Sequence, residues 1–181
     1  MKPILYVCAA ALLLASCQMN NKPVSTGDDV IAKNKMGMQK FYDVVINKHD
    51  VSKLDSFVAP AFIDHSMPNP HSLPLDSLKQ MFTMFLSWYP DQHITVNFML
   101  ADSDMVMAEY TQTGTNTGSI MGMPPTGKSV TLHGVDIVKL DKSGKATEHW
   151  GYYEERKEIE QLGGVITWPS DESKKDMKKK K

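Results

Sequence analysis

Apolar residues recur at helical spacing in the first part of the chain. Asp28 or Asp29 can cap a first helix, because a carboxylate oxygen accepts hydrogen bonds from the free N–H groups of a first turn. A short helix is predicted over residues 52–58, followed by a short strand over residues 61–65. The apolar face of the first helix has the spacing i, i+3, i+4, i+7 and consists of Met38, Phe41, Tyr42 and Val45.

The clearest helix of the pattern follows a proline-rich loop. It begins at Asp76 or Ser77 and ends at Pro90, since proline cannot continue a helix. One side of it is apolar over its whole length, which predicts that this side packs on a core. That stripe consists of Leu78, Met81, Phe82, Phe85, Trp88 and Tyr89.

Beyond this helix the period changes from helical to alternating, which is typical of strands. In the first strand Ile94, Val96, Phe98 and Leu100 are expected to share one face. Helices followed by antiparallel strands predict an α+β fold, with a curved sheet wrapped over a helix and a pocket at its open end. The four predicted strands cover residues 94–100, 105–113, 130–140 and 145–153, and a helical turn is predicted over 154–162.

The beginning of the chain has the pattern of a bacterial lipoprotein signal. Lys2 precedes an apolar run over residues 4–15 that is too short to span a bilayer, and the run ends in the lipobox-like sequence LASC. We therefore expect cleavage after residue 16, a lipid on Cys17, and attachment to a membrane in the bacterial cell envelope, facing the periplasm or the surface. The predicted organisation is a signal peptide (1–16), a lipidated tether (17–27), one globular domain (28–169) and a disordered Lys-rich tail (170–181).

Composition narrows the chemistry. The chain has 2 cysteines, and Cys8 leaves with the signal peptide while Cys17 carries the lipid, so a disulfide or a thiol nucleophile is not expected in the domain. A formal net charge of −1 gives no basic field for nucleic acid. Residues 122–129 (GMPPTGKS) fit the phosphate-loop pattern, but Pro124 and Pro125 lack the N–H groups that hold phosphates, so we interpret the segment as a rigid loop between strands.

Two histidines on neighbouring predicted strands are the main candidates for chemistry. If the hairpin loop includes Lys145, then His133 and His149 share a face with Val135, Ile137 and Gly151. If it does not, His149 faces Asp136. Two imidazoles could bind an enolate oxygen or move protons near neutral pH, and a His–Asp pair would fix one tautomer. The alternative is that both are hydrogen-bonded structural histidines.

Further residues are candidates for the pocket wall. Met99 and Met107 belong to a methionine-rich strand region that suits an adaptable apolar cavity, although plain core packing is the favoured explanation. Asp64 and His65 end the short strand beside the proline loop and are expected near the pocket mouth, the alternative being a turn-capping aspartate and a histidine in solvent. Val135, Ile137 and Gly151 complete the predicted wall. The histidines have no tight ligand spacing, so no metal site is predicted.

Six short motifs follow one another along the domain. They are residues 88–93 (WYPDQH), 111–118 (TQTGTNTG), 122–128 (GMPPTGK), 134–137 (GVDI), 148–150 (EHW) and 161–163 (QLG). Together they resemble the SnoaL-like polyketide (ester) cyclase family of the nuclear transport factor 2-like superfamily. The resemblance implies a cone of one curved antiparallel sheet and about three helices around a pocket, often dimeric through the sheet. It also implies aldol ring closure without cofactor or metal.

The resemblance also implies roles for single positions. His149 and His133 match pocket histidines that help to stabilise the enolate in the family. The aspartate that acts there as acid and base lies two residues after the histidine of the His-Trp motif, and that position is Gly151 here. Asn116 stands where relatives often carry histidine. Two functions follow: a cofactor-free cyclase or isomerase acting on a small apolar carbonyl compound, or a binder of a small hydrophobic ligand without catalysis.

Overall fold

The computed structural model describes residues 27–120 and 122–167. The predicted signal peptide, the lipid on Cys17, all but the last residue of the tether and the Lys-rich tail lie outside these residues. Among the residues that are described, no helix combines the length and the apolar character needed to cross a membrane.

The first helix, α1, spans Gly27–Phe41 and continues through one π-helical turn, Tyr42–Ile46. The apolar face predicted for it is present, because Met38, Tyr42 and Val45 are all buried. The carboxylates of Asp28 and Asp29 lie in the first turn, where the helix dipole favours negative charge. A 3-10 helix, Val51–Ser56, follows.

Two further α-helices follow along the described part of the chain. Helix α2 spans Leu75–Trp88 and buries Leu78 and Leu86, close to the helix predicted from its apolar stripe. Helix α3 spans Glu155–Gln161 and has no buried residue.

Six strands form one mixed sheet in the order β2-β1-β6-β5-β4-β3. The α+β class is therefore confirmed, but β1 pairs with β6 in parallel, which the antiparallel prediction missed. The proline-rich loop also contains the two-residue strand β2. The strand bounds are Val58–Asp64 (β1), Ser72–Leu73 (β2), His93–Ala101 (β3), Met105–Thr115 (β4), Ser129–Leu140 (β5) and Ala146–Tyr153 (β6).

The sheet has an inner face that packs against α1 and α2 and an outer face on the other side. Inner-face side chains such as Val106, Ala108 and Val138 join residues of both helices in one hydrophobic core. Fully burying an aliphatic side chain is worth roughly 1.5–3 kcal/mol, so this core is the main source of stability. Asn34 ties α1 to the turn after β3 by donating hydrogen bonds to the carbonyl oxygens of Asp102 and Ser103, both at 3.1 Å.

A bulge in β3 overturns the predicted alternation. Val96 pairs with Tyr110, but Phe98 pairs with Glu109, so one extra residue lies between them. Because successive side chains alternate across a strand, the bulge turns the following residues over. Phe98 and Leu100 are therefore 52% and 60% exposed on the outer face instead of sharing the inner face with Ile94 and Val96.

The loop between β4 and β5 is held by the buried Asn116. Its amide donates to the carbonyl oxygens of Trp88 and Gly118, and its Oδ1 accepts from the backbone N–H and the hydroxyl of Thr126. Asn116 therefore has a structural role in this loop. β5 follows the loop directly at Ser129, so the phosphate-loop pattern is followed by a strand and not by a helix.

Candidate active site

A cavity of about 540 Å³ lies between the inner face of the sheet and the helices α1 and α2. Its size is within the range of small-molecule sites. Most of its wall is apolar, and a few polar side chains face it. The apolar part includes Met38, Phe41, Phe57, Phe62, Phe82 and Phe85, and the polar part includes Tyr42, Asp64, Tyr110, Gln112, Asp136 and His149.

His149 of β6 lies between two carboxylates at the cavity wall. Its Nδ1 is 3.1 Å from Oδ1 of Asp64, and its Nε2 is 3.2 Å from Oδ1 of Asp136. The three side chains are 23%, 12% and 15% exposed, so the group is screened only partly by solvent. The ring of Phe62 lies nearly parallel to the imidazole, with ring centroids 6.5 Å apart.

Asp136 is held from a second direction by the first helical segment. The hydroxyl of Tyr42, in the π-helical turn, donates to Oδ2 of Asp136 at 2.7 Å. Both carboxylate oxygens of Asp136 therefore accept a hydrogen bond, one from an imidazole and one from a phenol. The orientation of this carboxylate is fixed by two elements that are distant in sequence.

Asp64 reaches His149 because β1 and β6 run side by side in parallel. The two residues are register partners, and the backbone N–H of His65 donates to the carbonyl oxygen of His149 at 2.8 Å. The Asp64 carboxylate also accepts from the backbone N–H of Ser66, and the Ser66 hydroxyl accepts from the backbone N–H of Gly151. These bonds lock the turn after β1 onto the end of β6.

The electrostatics of the cluster keep His149 charged. Burial lowers the pKa of an imidazole, but the hydrogen bonds and charges of Asp136 and Asp64 outweigh it and raise the pKa of His149 to about 9. Burial alone would raise the pKa of Asp64, yet the hydrogen bond and charge of His149, with the Ser66 amide, bring it below its usual value. Near pH 7 the imidazolium therefore donates to a carboxylate from each nitrogen.

Tyr42 remains a protonated phenol at any ordinary pH. Burial, followed by the charge and the hydrogen bond of Asp136, raises the pKa of its hydroxyl far above the usual value. The cluster thus consists of two proton donors, His149 and Tyr42, and two carboxylates that share their protons. Such a group can take up, hold and return a proton inside an apolar cavity.

Gly151 lies directly beside this cluster. A Cβ at this position would stand 2.9 Å from Cε1 of His149, 3.1 Å from the Ser66 hydroxyl and 3.3 Å from Oδ1 of Asp136. Carbon atoms essentially never approach as closely as the first of these distances, so a side chain at residue 151 requires the imidazole to move. The space next to Gly151 is already occupied by the carboxylate of Asp136 from the neighbouring strand.

Comparison with known proteins identifies the family. The family model described as SnoaL-like polyketide cyclase matches residues 37–162. The chain belongs to the SnoaL-like polyketide cyclase family. No curated protein matches the chain.

Several solved structures share the fold. AclR from Streptomyces galilaeus, a proposed hydroxylase, is 25% identical, with 83% of this chain and 93% of AclR covered at a TM-score of 0.66. A proposed polyketide cyclase from Acidithiobacillus ferrooxidans is 25% identical, with 72% and 94% covered at a TM-score of 0.64. A proposed SnoaL-like polyketide cyclase from Jannaschia is 16% identical, with 76% and 96% covered at 0.69.

The hairpin register decides between the two arrangements left open by the sequence. Val138 pairs with His149 and Asp136 with Gly151, whereas a bulge shifts the register next to the turn, between Lys139 and Leu140. His149 therefore shares the inner face with Asp136, as in the second arrangement. The arrangement that placed His133 beside His149 is wrong.

His133 lies on the outer face of the SnoaL-like sheet. Its side chain is 49% exposed, its Nδ1 is 3.3 Å from a carboxylate oxygen of Glu109, and it pairs across the sheet with Thr111. Residues of β5 alternate between faces, and the buried Leu132 next to it points inward. The structure thus separates the two histidines that the sequence had placed in one pocket.

Most of the predicted pocket wall is also placed elsewhere. Met107, Val135 and Ile137 alternate with inner-face residues and so lie on the outer face, where Met107 pairs with Ile137. Met99 is on the inner face but packs on the core and does not line the cavity. The imidazole of His65 stacks on Trp150 at 4.4 Å and pairs with Glu148 at 2.9 Å, which turns it away from the cavity.

Tyr42 was not predicted as a site residue, and the sequence did not predict that Asp64 would bind His149. Tyr42 lies on the predicted apolar face of the first helix. Nothing in the sequence indicates that the hydroxyl of this residue reaches β5. Asp64 ends a short strand, and its approach to His149 depends on a parallel pairing between residues 85 positions apart. Within the described residues, three or more His, Cys, Asp or Glu side chains do not converge on any position suited to a metal ion.

Proposed function

We propose that the protein is a cofactor-free cyclase or isomerase that acts on a small apolar carbonyl compound by acid–base chemistry at His149 and Asp136. The observation that supports this most strongly is the cluster of Asp64, His149 and Asp136 at the wall of an apolar cavity of about 540 Å³. Titratable groups with a strongly shifted pKa, in a cavity, are typical of catalytic sites.

The charge state of His149 assigns the roles. Since the pKa of His149 is about 9, its imidazole already carries both protons near pH 7 and cannot accept another. The proton acceptor is therefore a carboxylate, and we assign it to Asp136. Asp136 takes a proton from the carbon next to the carbonyl, and the electron pair of the broken C–H bond moves to the carbonyl oxygen to form an enolate.

The second half of the reaction consumes the enolate. In a cyclase its carbon attacks a second carbonyl group of the same molecule, and the new alkoxide takes the proton from Asp136. In an isomerase the proton returns to a different carbon. While Asp136 holds the proton, the negative charge is on the enolate, and the positive charge of the neighbouring His149 imidazolium stabilises it.

Gly151 does not exclude this chemistry. The family resemblance assigns an acid–base aspartate to that position, but Oδ1 of Asp136 lies 3.3 Å from where a Cβ of residue 151 would stand. A carboxylate is thus supplied to nearly the same place by the neighbouring strand. We propose that Asp136 takes over the acid–base role.

The second candidate function is a non-catalytic binder of a small hydrophobic ligand. Its specific support is that Oδ1 and Oδ2 of Asp136 each already accept a hydrogen bond, from His149 and Tyr42. A carboxylate held in this way can serve as a rigid polar contact for a ligand without accepting a proton.

Exchange of protons next to a carbonyl tests the proposal without knowledge of the natural substrate. We would incubate the purified protein with 2-tetralone in D₂O and follow deuterium uptake at the carbons beside the carbonyl by mass spectrometry. Asp136→Asn and His149→Gln are expected to lower the protein-catalysed rate by roughly 10²–10⁴-fold. The matched control is His133→Gln, which changes an exposed histidine of the outer face and should leave the rate unchanged.

The outcomes separate the two functions. Binding of 2-tetralone with no exchange above the buffer rate favours the binder. Exchange that is equally sensitive to His133→Gln and His149→Gln contradicts the assignment of the inner-face cluster.

We propose that the domain is held in the bacterial cell envelope by a lipid on Cys17. The support is the lipobox-like sequence that ends in this cysteine. Mass spectrometry of the membrane fraction should show a protein that begins at residue 17 and carries acyl chains. Cys17→Ala should move the protein out of that fraction, and recovery of an unmodified Cys17 would contradict the proposal.

We further propose that the protein forms a homodimer through the outer face of the sheet. Phe98, Leu100 and Tyr152 are 52%, 60% and 62% exposed there, and exposed apolar side chains on one face indicate an interface. The mass measured by light scattering should be twice that of one chain and should fall for Phe98→Ser with Leu100→Ser. An unchanged monomeric mass in both proteins would refute the dimer.

A further inference from the structure

Tyr110 of β4 has a hydroxyl group that the proposed reaction does not use. The residue is only 8% exposed and lines the cavity. Its ring lies 5.9 Å from the ring of Tyr42, but the two hydroxyls differ. Tyr42 donates to Asp136, whereas the Tyr110 hydroxyl has no hydrogen-bond partner among the described residues.

The free hydroxyl is not sealed off by the protein. Among the described residues, no fully enclosed side-chain nitrogen or oxygen lacks a partner, so the Tyr110 oxygen is not fully enclosed. The residue is otherwise almost completely buried and lines the cavity, so a molecule in the cavity lies against its side chain. An unpaired polar group in such a place is costly unless a bound molecule or water completes it.

Gly134 makes room for this ring. A Cβ at Gly134 would stand 2.4 Å from both Cζ and the hydroxyl oxygen of Tyr110, so the phenol rests on the bare backbone of β5. Gly134 and Asp136 are on the same face of one strand, about 7 Å apart. The phenol of Tyr110 and the carboxylate of Asp136 therefore belong to neighbouring positions of the same cavity wall.

The hydroxyl of Tyr110 is suited to donate a hydrogen bond to a ligand. Burial, followed by the charges of Asp136 and Tyr153, raises the pKa of Tyr110 above the usual value, so the hydroxyl keeps its proton. Asp136 is close enough for its charge to act on the phenol, yet it accepts its hydrogen bonds from His149 and Tyr42.

We propose that the Tyr110 hydroxyl binds the carbonyl oxygen of the ligand and stabilises it as an enolate, while Asp136 handles the proton. The inference rests on the proposed function because it takes the ligand to be a carbonyl compound. Tyr110 is thereby a ligand-contacting residue, and Gly134 is the position that lets its ring lie flat on β5.

Paired probes test this contact in the purified full chain. We would measure the affinities of 2-tetralone and of tetralin, which has the same ring system without the oxygen. The wild type should prefer the ketone, and Tyr110→Phe, which keeps the ring on Gly134, should reduce that preference by about 3- to 10-fold through a weaker affinity for the ketone alone. The control Tyr152→Phe removes a hydroxyl from the exposed outer face and should retain the preference.

The infrared stretch of ¹³C-labelled 2-tetralone gives a second readout that needs no variant. A hydrogen bond from the phenol should lower the carbonyl frequency of the bound ketone relative to the ketone in an apolar solvent, and Tyr110→Phe should remove most of this shift. The measurement is independent of turnover.

The outcomes distinguish this inference from the proposed function. A ketone preference that depends on Tyr110, with no deuterium exchange, supports the contact and refutes catalysis. Exchange that is insensitive to Tyr110→Phe, with an unchanged preference, overturns the contact and points to the amides of Gln92 or Gln112, which also line the cavity. Absence of any preference in the wild type, or of binding by either probe, also overturns it.

Discussion

The two faces of the sheet carry the same kinds of side chain in different surroundings. His149 on the inner face lies 3.1 and 3.2 Å from two carboxylates and is 23% exposed, whereas His133 on the outer face lies 3.3 Å from one carboxylate and is 49% exposed. Residue type and distance are nearly alike. His149 is more buried and has a second carboxylate beside it. Its ion pairs are therefore expected to contribute more to the free energy of unfolding than that of His133. A histidine in a sequence therefore indicates chemistry only after its face of the sheet is known.

The largest expected effect comes from removing the imidazole. His149→Ala leaves Asp64 and Asp136 partly buried without the cation between them, and the loss of one partner of such a group costs about 3 kcal/mol of unfolding free energy. His133→Ala should change it by less than about 0.5 kcal/mol. Urea unfolding of both variants at pH 7 measures the difference, and equal losses would remove the contrast between the two faces.

The pH dependence of stability is the next largest effect. The pKa of His149 is about 9 in the folded protein and close to 6.5 when unfolded, so its contribution is complete below pH 6.5 and is lost as the pH rises to 9. The whole shift corresponds to about 3 kcal/mol, and we expect most of it to be lost across this range, measured by urea unfolding at each pH. In His149→Gln the free energy of unfolding should change little between pH 6.5 and pH 9. If the same loss persists in this variant, it does not come from His149.

Asp64 acts in the opposite direction at the acid end. Its pKa is below the usual value, so its contribution is present above the unfolded pKa and disappears as the pH falls through the folded one. The cluster therefore contributes most to stability in mildly acidic to neutral solution, between the acid loss through Asp64 and the alkaline loss through His149.

A smaller effect is expected at Gly151. Gly151→Ala should cost about 1 kcal/mol, because the new Cβ stands 2.9 Å from Cε1 of His149 and the imidazole must move. Gly151→Asp should cost somewhat more and should raise the pKa of His149 further, since a third carboxylate joins the cluster. NMR titration of the imidazole and urea unfolding measure both. A Gly151→Asp protein that is more active than the wild type and equally stable would show that Asp136 does not take the role of the missing aspartate.

The parts of the fold that depend on local pattern were predictable. The amphipathic stripe of α2 and the alternation from Met105 to Tyr153 place these elements close to where the structure has them. The bulge after Val96 was not visible, because neither Asn97 nor its neighbours are residues that mark a bulge. This bulge moves Phe98 and Leu100 from the predicted inner face to the outer face.

The site was predictable only in part, because most of its contacts join segments that are far apart in the sequence. The pairing of His149 with Asp136 follows from a hairpin register, which the sequence reduced to two alternatives. The contact with Asp64 needs the parallel pairing of β1 with β6, and that with Tyr42 needs the position of a helix over the sheet. Neither long-range relation leaves a periodic signal in the chain.

The parallel neighbours β1 and β6 have a consequence for the order of assembly. Asp64 and His149 are separated by 85 residues, so a growing or partly folded chain that lacks β6 contains Asp64 without its cation and β1 without its inner neighbour. Closing so long a loop is entropically expensive and comes late in folding. A chain in which His149 is bonded to both carboxylates has therefore paired β6 with both of its neighbours, β1 and β5.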